Sequence, residues 1–120
     1  MKEREANQMN AIATKFNWLT KSPPTLTGNT GITHRFDFVA LEGEKHITFD
    51  IYEQLGEIEV LRTFIKKLDT GASTYIVCLS DNITEQARKL AANYGLKILQ
   101  GDALDDIEKI EKEFKPLTRS

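Results

Sequence analysis

The sequence predicts one domain of the α/β class, a mixed β-sheet with helices on both faces. Residues 33–53 have the pattern of a β-hairpin, and helical and strand patterns alternate after it. We therefore expect antiparallel pairing in the hairpin and a parallel β-α-β arrangement where helices separate the strands. The length of 120 residues is enough for a core without disulfides or structural metal.

The first half of the chain predicts a helix and then the hairpin. Residues 2–19 place apolar side chains at spacings of three and four, and the two prolines after Ser22 predict the end of this helix. Trp18 is expected to anchor the helix to the sheet. Residues 25–30 form a polar connection that has room for a short strand. The hairpin strands, 33–41 and 45–53, are joined by a tight turn at Glu42-Gly43-Glu44.

The second half predicts alternating helices and strands. A helix over 57–68 is expected to stop at Gly71 and to bury a stripe of Ile58, Leu61, Phe64, Ile65 and Leu68. Residues 73–79 are a continuous apolar run, typical of a strand covered on both faces. A helix over 84–94 follows, capped by Ser80-Asp81-Asn82 and closed by Gly95. The predicted elements end with a strand over 96–99 and a helix over 102–114.

Composition limits the environment and the partners. The net charge is −2, from 16 basic and 18 acidic residues, so nucleic-acid binding would need a local basic patch. The single cysteine, Cys78, lies in the apolar strand and is expected to be a small buried hydrophobe without a disulfide. The polar first residues and the absence of a long apolar run predict a cytoplasmic protein without membrane contact.

Two aspartates inside the hairpin strands are the most informative residues. Asp is unfavourable in strand interiors, and a carboxylate between apolar neighbours is costly unless something pairs with it. With a turn at Glu42-Gly43, Asp37 and Asp50 become diagonal neighbours on one face, about 7–8 Å apart. They are therefore candidate ligands of one divalent cation, Mg²⁺ or Mn²⁺. The alternative is a pair of structural carboxylates, with Asp50 bridged to Arg35 across the hairpin.

The order of these elements resembles the restriction-endonuclease-like, or PD-(D/E)XK, nuclease superfamily, especially small archaeal and bacterial resolvase-like and Mrr-like modules. That family has a glycine-containing segment, an aspartate on one strand, and an acidic residue, any residue and a lysine on the next. Gly28 or Gly31, Asp37 and Asp50-Ile51-Tyr52 occupy these places. The resemblance covers about residues 5–100. It implies a restriction-endonuclease-like mixed sheet in which two acids hold Mg²⁺ beside a scissile phosphate.

The sequence departs from this family at Tyr52, which stands where the catalytic lysine is expected. A phenol is neutral near pH 7 and cannot supply the same positive charge, so the triplet predicts an impaired nuclease. The resemblance offers Lys66 or Lys67, on the following helix, as a displaced lysine, and Lys67 joins Asp37 and Asp50 in the predicted catalytic set. Glu3 or Glu5 on the first helix is the corresponding candidate for a third carboxylate.

The sequence is compatible with three functions. The first, which we favour, is a catalytically impaired nuclease-fold module for nucleic-acid transactions or protein binding. The acidic net charge favours a protein partner or a homodimer over tight nucleic-acid binding. The second is an active Mg²⁺-dependent DNA or RNA endonuclease with a displaced lysine. The third is a small regulatory or nucleotide-binding module, which the strand-helix-strand-helix tail suits equally well.

Overall fold

The computed structural model describes residues 3–101; the predicted helix over 102–114 lies outside them. The elements are, in chain order, α1 (Glu3–Lys15), β1 (Leu19–Thr20), β2 (Thr25–Thr27), β3 (Thr33–Arg35), β4 (Phe38–Glu42), β5 (Lys45–Tyr52), α2 (Glu57–Thr70), β6 (Ser73–Cys78), α3 (Glu85–Asn93) and β7 (Lys97–Gln100). The main sheet has the strand order β1-β4-β5-β6-β7, and β2 pairs with β3 in a separate ribbon. Pairing is antiparallel up to β5 and parallel from β5 to β7. The predicted mixed α/β architecture is confirmed.

The first helix is shorter than predicted. It ends at Lys15 because Asn17 adopts a left-handed backbone, with a φ of 59°, and the Trp18 amide bonds back to the last turn at 2.8 Å. Leu19, predicted inside this helix, instead starts β1 and is 71% exposed. Trp18 is buried with its ring 6.4 Å from that of Phe49, so it anchors α1 to the sheet as predicted.

The hairpin differs from the prediction in register and in extent. Its turn is Gly43-Glu44, with a φ of 60° at Gly43, because a glycine with positive φ suits the first position of a type II′ turn. The register shifts by two residues, which leaves the side chains of the paired residues 38–42 and 45–49 on their expected faces. The predicted first strand is also broken. Arg35 belongs to β3 and pairs with Thr25, so the expected bridge from Arg35 to Asp50 does not form.

Two apolar layers enclose the main sheet. On one face, α1 packs against a cluster of large side chains that includes Phe38, Phe49 and Tyr75. On the other face, α2 and α3 pack against Ile76 and Cys78. Cys78 is fully buried with a free thiol, as predicted. No helix within residues 3–101 has both the length and the apolar character needed to cross a bilayer.

The second helix has the predicted start and the predicted stop but not the predicted orientation. Gly71 closes it with a φ of 71° and an N–H bonded to the Lys67 carbonyl at 2.8 Å. Val60 and Thr63 are its buried residues. The predicted inward stripe is wrong, because Ile58, Leu61, Ile65 and Leu68 are between 38% and 64% exposed. Only Phe64 of that stripe is half-buried, stacked on the ring of Tyr94 with centroids 3.9 Å apart.

The third helix has a different cap from the one predicted. Thr84, not Ser80-Asp81-Asn82, is the N-cap, because its Oγ1 accepts a hydrogen bond from the Ala87 amide at 3.0 Å. Gly95, with a φ of 67°, follows the helix as predicted. The strands on either side of the helix match the predicted ranges within one residue.

Phe49 is the central residue of the aromatic layer, fully buried and stacked on Tyr75 at a centroid distance of 5.4 Å. We expect Phe49→Ala to lower the free energy of unfolding by about 3–5 kcal/mol, through lost burial and an unfilled cavity. Leu19→Ala, at an exposed apolar position, is the control and should change it by less than about 0.5 kcal/mol. Denaturant unfolding of the three proteins measures both values, and similar losses in both variants would contradict this description of the core.

Candidate functional site

Asp37 and Asp50 lie in one cleft of about 490 Å³ between the hairpin and α2. The cleft is lined by these two aspartates, by the basic side chains Arg35, Arg62 and Lys66, and by His34, Phe36, Tyr52 and Ile65. The structure therefore brings the two predicted acidic residues together, and it adds basic residues from both β3 and α2.

Asp37 occupies the bend between β3 and β4. The ladder of β4 and β5 ends at the pair Phe38–Phe49, so Asp37 precedes one member of this last pair and Asp50 follows the other. The Asp37 amide donates to the Phe49 carbonyl at 3.0 Å. Its carboxylate Oδ2 accepts from the Ile51 amide at 2.7 Å. Asp37 thus satisfies an amide of β5 beyond the end of β4, which explains the aspartate at this bend.

Asp50 is a nearly buried carboxylate, 3% exposed, with two partners on α2. Its Oδ2 accepts from Thr63 Oγ1 at 2.8 Å and forms an ion pair with Lys66 Nζ at 2.5 Å. Thr63 and Lys66 are three residues apart and share one face of the helix. Asp50 is therefore compensated by a hydrogen bond and an opposite charge, as a buried carboxylate requires.

Lys66 is held in the cleft by three kinds of contact. Besides the ion pair to Asp50, its Nζ donates to the Arg35 carbonyl at 2.9 Å. The same atom lies 4.6 Å from the ring centroid of Phe36, a cation–π distance. Its side chain is 18% exposed. The ammonium group is thus fixed at the inner wall of the cleft, beside the acids.

Tyr52 forms a hydrogen-bonded chain with these residues. Its hydroxyl lies 2.9 Å from Thr63 Oγ1 and 3.3 Å from the Glu59 carbonyl. Because Thr63 donates its hydroxyl hydrogen to Asp50, it can only accept from Tyr52. The Tyr52 hydroxyl is therefore a donor, with Thr63 Oγ1 and the Glu59 carbonyl as its acceptors. Burial raises the pKa of Tyr52 to about 12, and the nearby carboxylates of Asp50 and Asp37 act in the same direction. The phenol is therefore neutral at physiological pH and supports Asp50 through Thr63.

Lys67, the lysine of the predicted catalytic set, lies elsewhere. Its Nζ is within 3.4 Å of the Tyr94 and Gly95 carbonyls, at the end of α3. Neighbouring residues of a helix point about 100° apart, so Lys66 faces the cleft and Lys67 does not. Neither Glu3 nor Glu5 lines the cleft. In the part of the chain that the structure describes, no group of three or more His, Cys, Asp or Glu side chains is arranged so that it could hold a metal ion by itself.

The two carboxylates keep one oxygen each for the cleft. All protein contacts of Asp37 and Asp50 within residues 3–101 use Oδ2. Over the same residues no buried side-chain oxygen or nitrogen lacks a hydrogen bond. The two Oδ1 atoms, which have no partner there, must therefore be accessible from the cleft.

The β2–β3 ribbon is fastened to the end of α2 by Asp69. This carboxylate accepts from Thr30 Oγ1 at 2.7 Å and from the Thr30 amide at 2.9 Å, and it lies 2.6 Å from His34 Nε2. The Thr30 hydroxyl, followed by His34, lowers the pKa of Asp69 to about 2. A Cβ on Gly28 would lie 2.0 Å from Asp69 Oδ2, so this close approach requires a glycine. The ribbon leads directly to Arg35, and this clamp therefore positions one wall of the cleft.

Comparisons with known proteins give fold-level similarity. No protein-family model matches the chain, and no curated protein does. The crystal structure of AF1548, a protein of unknown function, is similar with a TM-score of 0.63 and 21% identity, over 79% of this chain and 56% of that one. The structure of an EndoMS–dsDNA complex matches with a TM-score of 0.45 and 12% identity, over 79% of this chain and 43% of that one. The chain spans about half the length of these structures. The similarity to AF1548 is a similarity of fold.

The raised pKa of Tyr52 is directly measurable. We expect the difference between the wild-type protein and Tyr52→Phe, followed by ultraviolet absorbance, to show ionisation of one phenol centred near pH 12. The stabilisation from the neutral phenol is complete below its ordinary pKa of 10 and is lost as the pH rises through 12. A midpoint near 10 would show that the phenol of Tyr52 is not buried as described, because burial is the main cause of the raised pKa.

The lowered pKa of Asp69 predicts an acid-sensitive clamp. Its stabilisation is present above the ordinary pKa of 3.8 and is lost as the pH falls toward about 2. The difference in unfolding free energy between the wild-type protein and Asp69→Asn should therefore shrink over that range. Glu44→Gln, at the exposed hairpin turn, is the control and should show no comparable dependence. A constant difference down to pH 2 would contradict the assignment.

Proposed function

We propose that this chain is a metal-dependent nuclease domain in which Lys66, on α2, replaces the lysine missing at Tyr52. The observation that carries the proposal is the ion pair between Lys66 Nζ and Asp50 Oδ2, at 2.5 Å, in the cleft that also contains Asp37. The sequence favoured an impaired nuclease because Tyr52 cannot supply positive charge. A lysine in contact with Asp50, in the cleft that Asp37 also lines, supports the active alternative.

The donor set fits a hydrated divalent cation. Mg²⁺ retains several waters and is commonly held by one or two carboxylates together with substrate phosphates. Asp37 and Asp50 would hold it through the oxygens that the protein does not use, Oδ1 of each. When bound, Mg²⁺ or Mn²⁺ lowers the pKa of a bound water and stabilises negative charge on a phosphate. Because only two carboxylates contribute, we expect weak affinity for the cation in the absence of nucleic acid.

The cleft has the local basic patch that the net charge of the chain does not provide. Arg35, Arg62 and Lys66 line it with two aspartates, so cations exceed anions among these five side chains. Arg35 and Arg62 are exposed and available to phosphate oxygens, to which arginine binds in a bidentate manner. A phosphodiester backbone is therefore the ligand that this combination of charges favours.

The residues of the cleft have two roles: some would contact the substrate, and the others hold those residues in position. Lys66 holds a positive charge beside Asp50, where it stabilises negative charge on a reacting phosphate. Thr63 orients the Asp50 carboxylate through its hydroxyl, and Tyr52 orients Thr63 in turn. The clamp formed by Asp69 keeps Arg35 and the ribbon at the rim.

The second candidate function is a binding module without catalysis, for a nucleic acid or a protein. The observation that favours it is that Asp50 Oδ2 already has two partners, so this carboxylate is satisfied without a cation. Tyr52 favours the same function, because it leaves position 52 of β5 uncharged, where the resembled family has a lysine.

The two neighbouring lysines allow a sharp test of the nuclease proposal. With Mg²⁺ or Mn²⁺ and labelled single-stranded, duplex and branched DNA and RNA, Lys66→Ala should reduce the cleavage rate by about 100-fold or more. Lys67→Ala, one residue away and outside the cleft, is the matched comparison and should retain the wild-type rate. Calorimetry should show cation binding by the wild-type protein that Asp37→Ala and Asp50→Ala each remove.

Three results would decide against this proposal. The absence of both cleavage and cation binding in the wild-type protein would leave the binding module. Loss of cleavage in Lys67→Ala but not in Lys66→Ala would return the catalytic role to Lys67. If Lys66 replaces the strand lysine, Tyr52→Lys in the Lys66→Ala background should recover part of the cleavage rate. No recovery would show that a lysine at position 52 cannot do what Lys66 does.

A further inference from the structure

His34 and Asp69 form a hydrogen-bonded pair at the wall of the cleft. His34 Nε2 lies 2.6 Å from Asp69 Oδ2, and the His34 side chain is among those that line the cleft. The clamp that fastens the ribbon to α2 uses only one of the two ring nitrogens. The other nitrogen, Nδ1, is left for a role of its own.

Nδ1 of His34 is accessible. Within residues 3–101 every hydrogen bond and ion pair of this side chain uses Nε2. Over the same residues no buried side-chain nitrogen or oxygen lacks a partner, so Nδ1 must reach solvent, on a side chain that is only 12% exposed. Because His34 lines the cleft, the cleft is where a ligand can contact this atom.

Asp69 determines which nitrogen of the ring exchanges a proton. The Thr30 hydroxyl, followed by His34, lowers the pKa of Asp69 to about 2. Its carboxylate is therefore ionised near neutral pH and can only accept a hydrogen, which Nε2 must donate. Histidine is the side chain that changes charge near neutral pH, and a hydrogen bond at one nitrogen fixes the other as the site of exchange. That site is Nδ1 in His34.

The helix α2 places His34 one turn away from the ion pair of Lys66 and Asp50. Asp69 follows Lys66 by three residues, a rise of about 4.5 Å along one face of the helix. Along the ribbon, Phe36 lies against Lys66 and His34 lies against Asp69. A phosphate group in contact with Lys66 is therefore a neighbour of His34.

We propose that His34 is a catalytic residue of this cleft, the general acid that protonates the leaving oxygen when a phosphodiester is hydrolysed. This inference rests on the proposed nuclease function. A water oxygen bonds to phosphorus and its released proton passes to the solvent. The bond from phosphorus to one ester oxygen breaks, and that oxygen takes the Nδ1 proton of the imidazolium. His34 regains a proton from the solvent, and the products are a phosphomonoester and a hydroxyl group.

The position of His34 suits the leaving oxygen. The attacking and leaving oxygens lie roughly in line on opposite sides of phosphorus. Along α2, Asp50 contacts Thr63 and Lys66, whereas His34 contacts Asp69, beyond Lys66. Within residues 3–101 His34 is not arranged with the aspartates as a metal-binding group of three. The aspartates and the histidine therefore serve opposite ends of the reacting phosphate.

The variant His34→Gln separates protonation from support. A glutamine amide can still donate to Asp69 as Nε2 does, but it has no equivalent of Nδ1. The products of wild-type cleavage with Mg²⁺ show which bridging oxygen leaves. On this DNA, His34→Gln should reduce the cleavage rate by about 100-fold or more. On the same DNA with sulfur in place of that oxygen, it should cleave at close to the wild-type rate, because a thiolate leaves without a proton.

Two control variants accompany this experiment. His46→Gln changes the other histidine of the chain, in β5 and outside the cleft, and should keep the wild-type rate on both substrates. Thr30→Val removes a hydroxyl contact of the clamp and should change both rates by the same factor. An equal loss on both substrates in His34→Gln would show a structural role only, and an unchanged rate on both would show none. Either result would overturn the proposal.

The protonation of the ring can be measured without cation, substrate or cleavage. In ¹⁵N NMR spectra of the wild-type protein, the neutral imidazole of His34 should carry its hydrogen on Nε2 and show a bare Nδ1. His46→Gln leaves one histidine and assigns the signals. A neutral ring with its hydrogen on Nδ1 would contradict the proposal, and this measurement stays decisive if His34→Gln does not fold.

Failure of this inference differs from failure of the nuclease proposal. A wild-type protein that cleaves neither substrate with Mg²⁺ or Mn²⁺ removes the nuclease function and the acid with it. A wild-type protein that cleaves both, with His34→Gln equally active on the oxygen substrate, retains the nuclease and removes only the role of His34.

Discussion

The contact between Asp50 and α2 is the constraint on which the rest of the structure depends. Asp50 lies in β5, which pairs with β4 on one side and β6 on the other, and its side chain is almost completely buried. A carboxylate in that position is costly without compensation, and removing one partner of such a pair typically costs about 3–5 kcal/mol. Thr63 and Lys66 provide the compensation, so α2 must lie with these two residues toward the sheet.

That orientation determines the outer surface of the protein. With Thr63 and Lys66 toward Asp50, the apolar stripe of α2 is on the solvent side of the helix; it consists of Ile58, Leu61, Ile65 and Leu68. The same turn of the helix places Lys66 in the cleft and rotates Lys67 toward α3. One buried charge therefore explains the charged cleft, the exposed apolar stripe and the separation of two adjacent lysines. An apolar residue at position 50 would remove the reason for this orientation, because α2 could then bury its apolar stripe as the sequence suggests.

The parts of the fold that were predictable depend on local patterns. Strand alternation places Asp37 and Asp50 on one face, and this survived the register error because a shift of two residues preserves the face. The orientation of α2 was not predictable, because hydrophobic periodicity assumes that the widest apolar stripe is buried. For the same reason periodicity could not distinguish Lys66 from Lys67. The clamp between Asp69, Thr30 and His34 joins residues at least 35 positions apart, and no local pattern reports such contacts.

The geometry also explains why a neutral side chain suits position 52 of β5, since Lys66 on α2 already pairs with Asp50. A lysine at position 52 would place a second ammonium group near Lys66, with Asp50 as their shared partner, and like charges at that separation repel strongly away from water. Tyr52 avoids this repulsion because it is neutral, and its hydroxyl reaches Thr63 and the Glu59 carbonyl. It thereby supports the orientation of Thr63 toward Asp50. Tyr52 and Lys66 are in this sense two parts of one network, in which a neutral phenol, acting through Thr63, and a positively charged ammonium group support the same carboxylate.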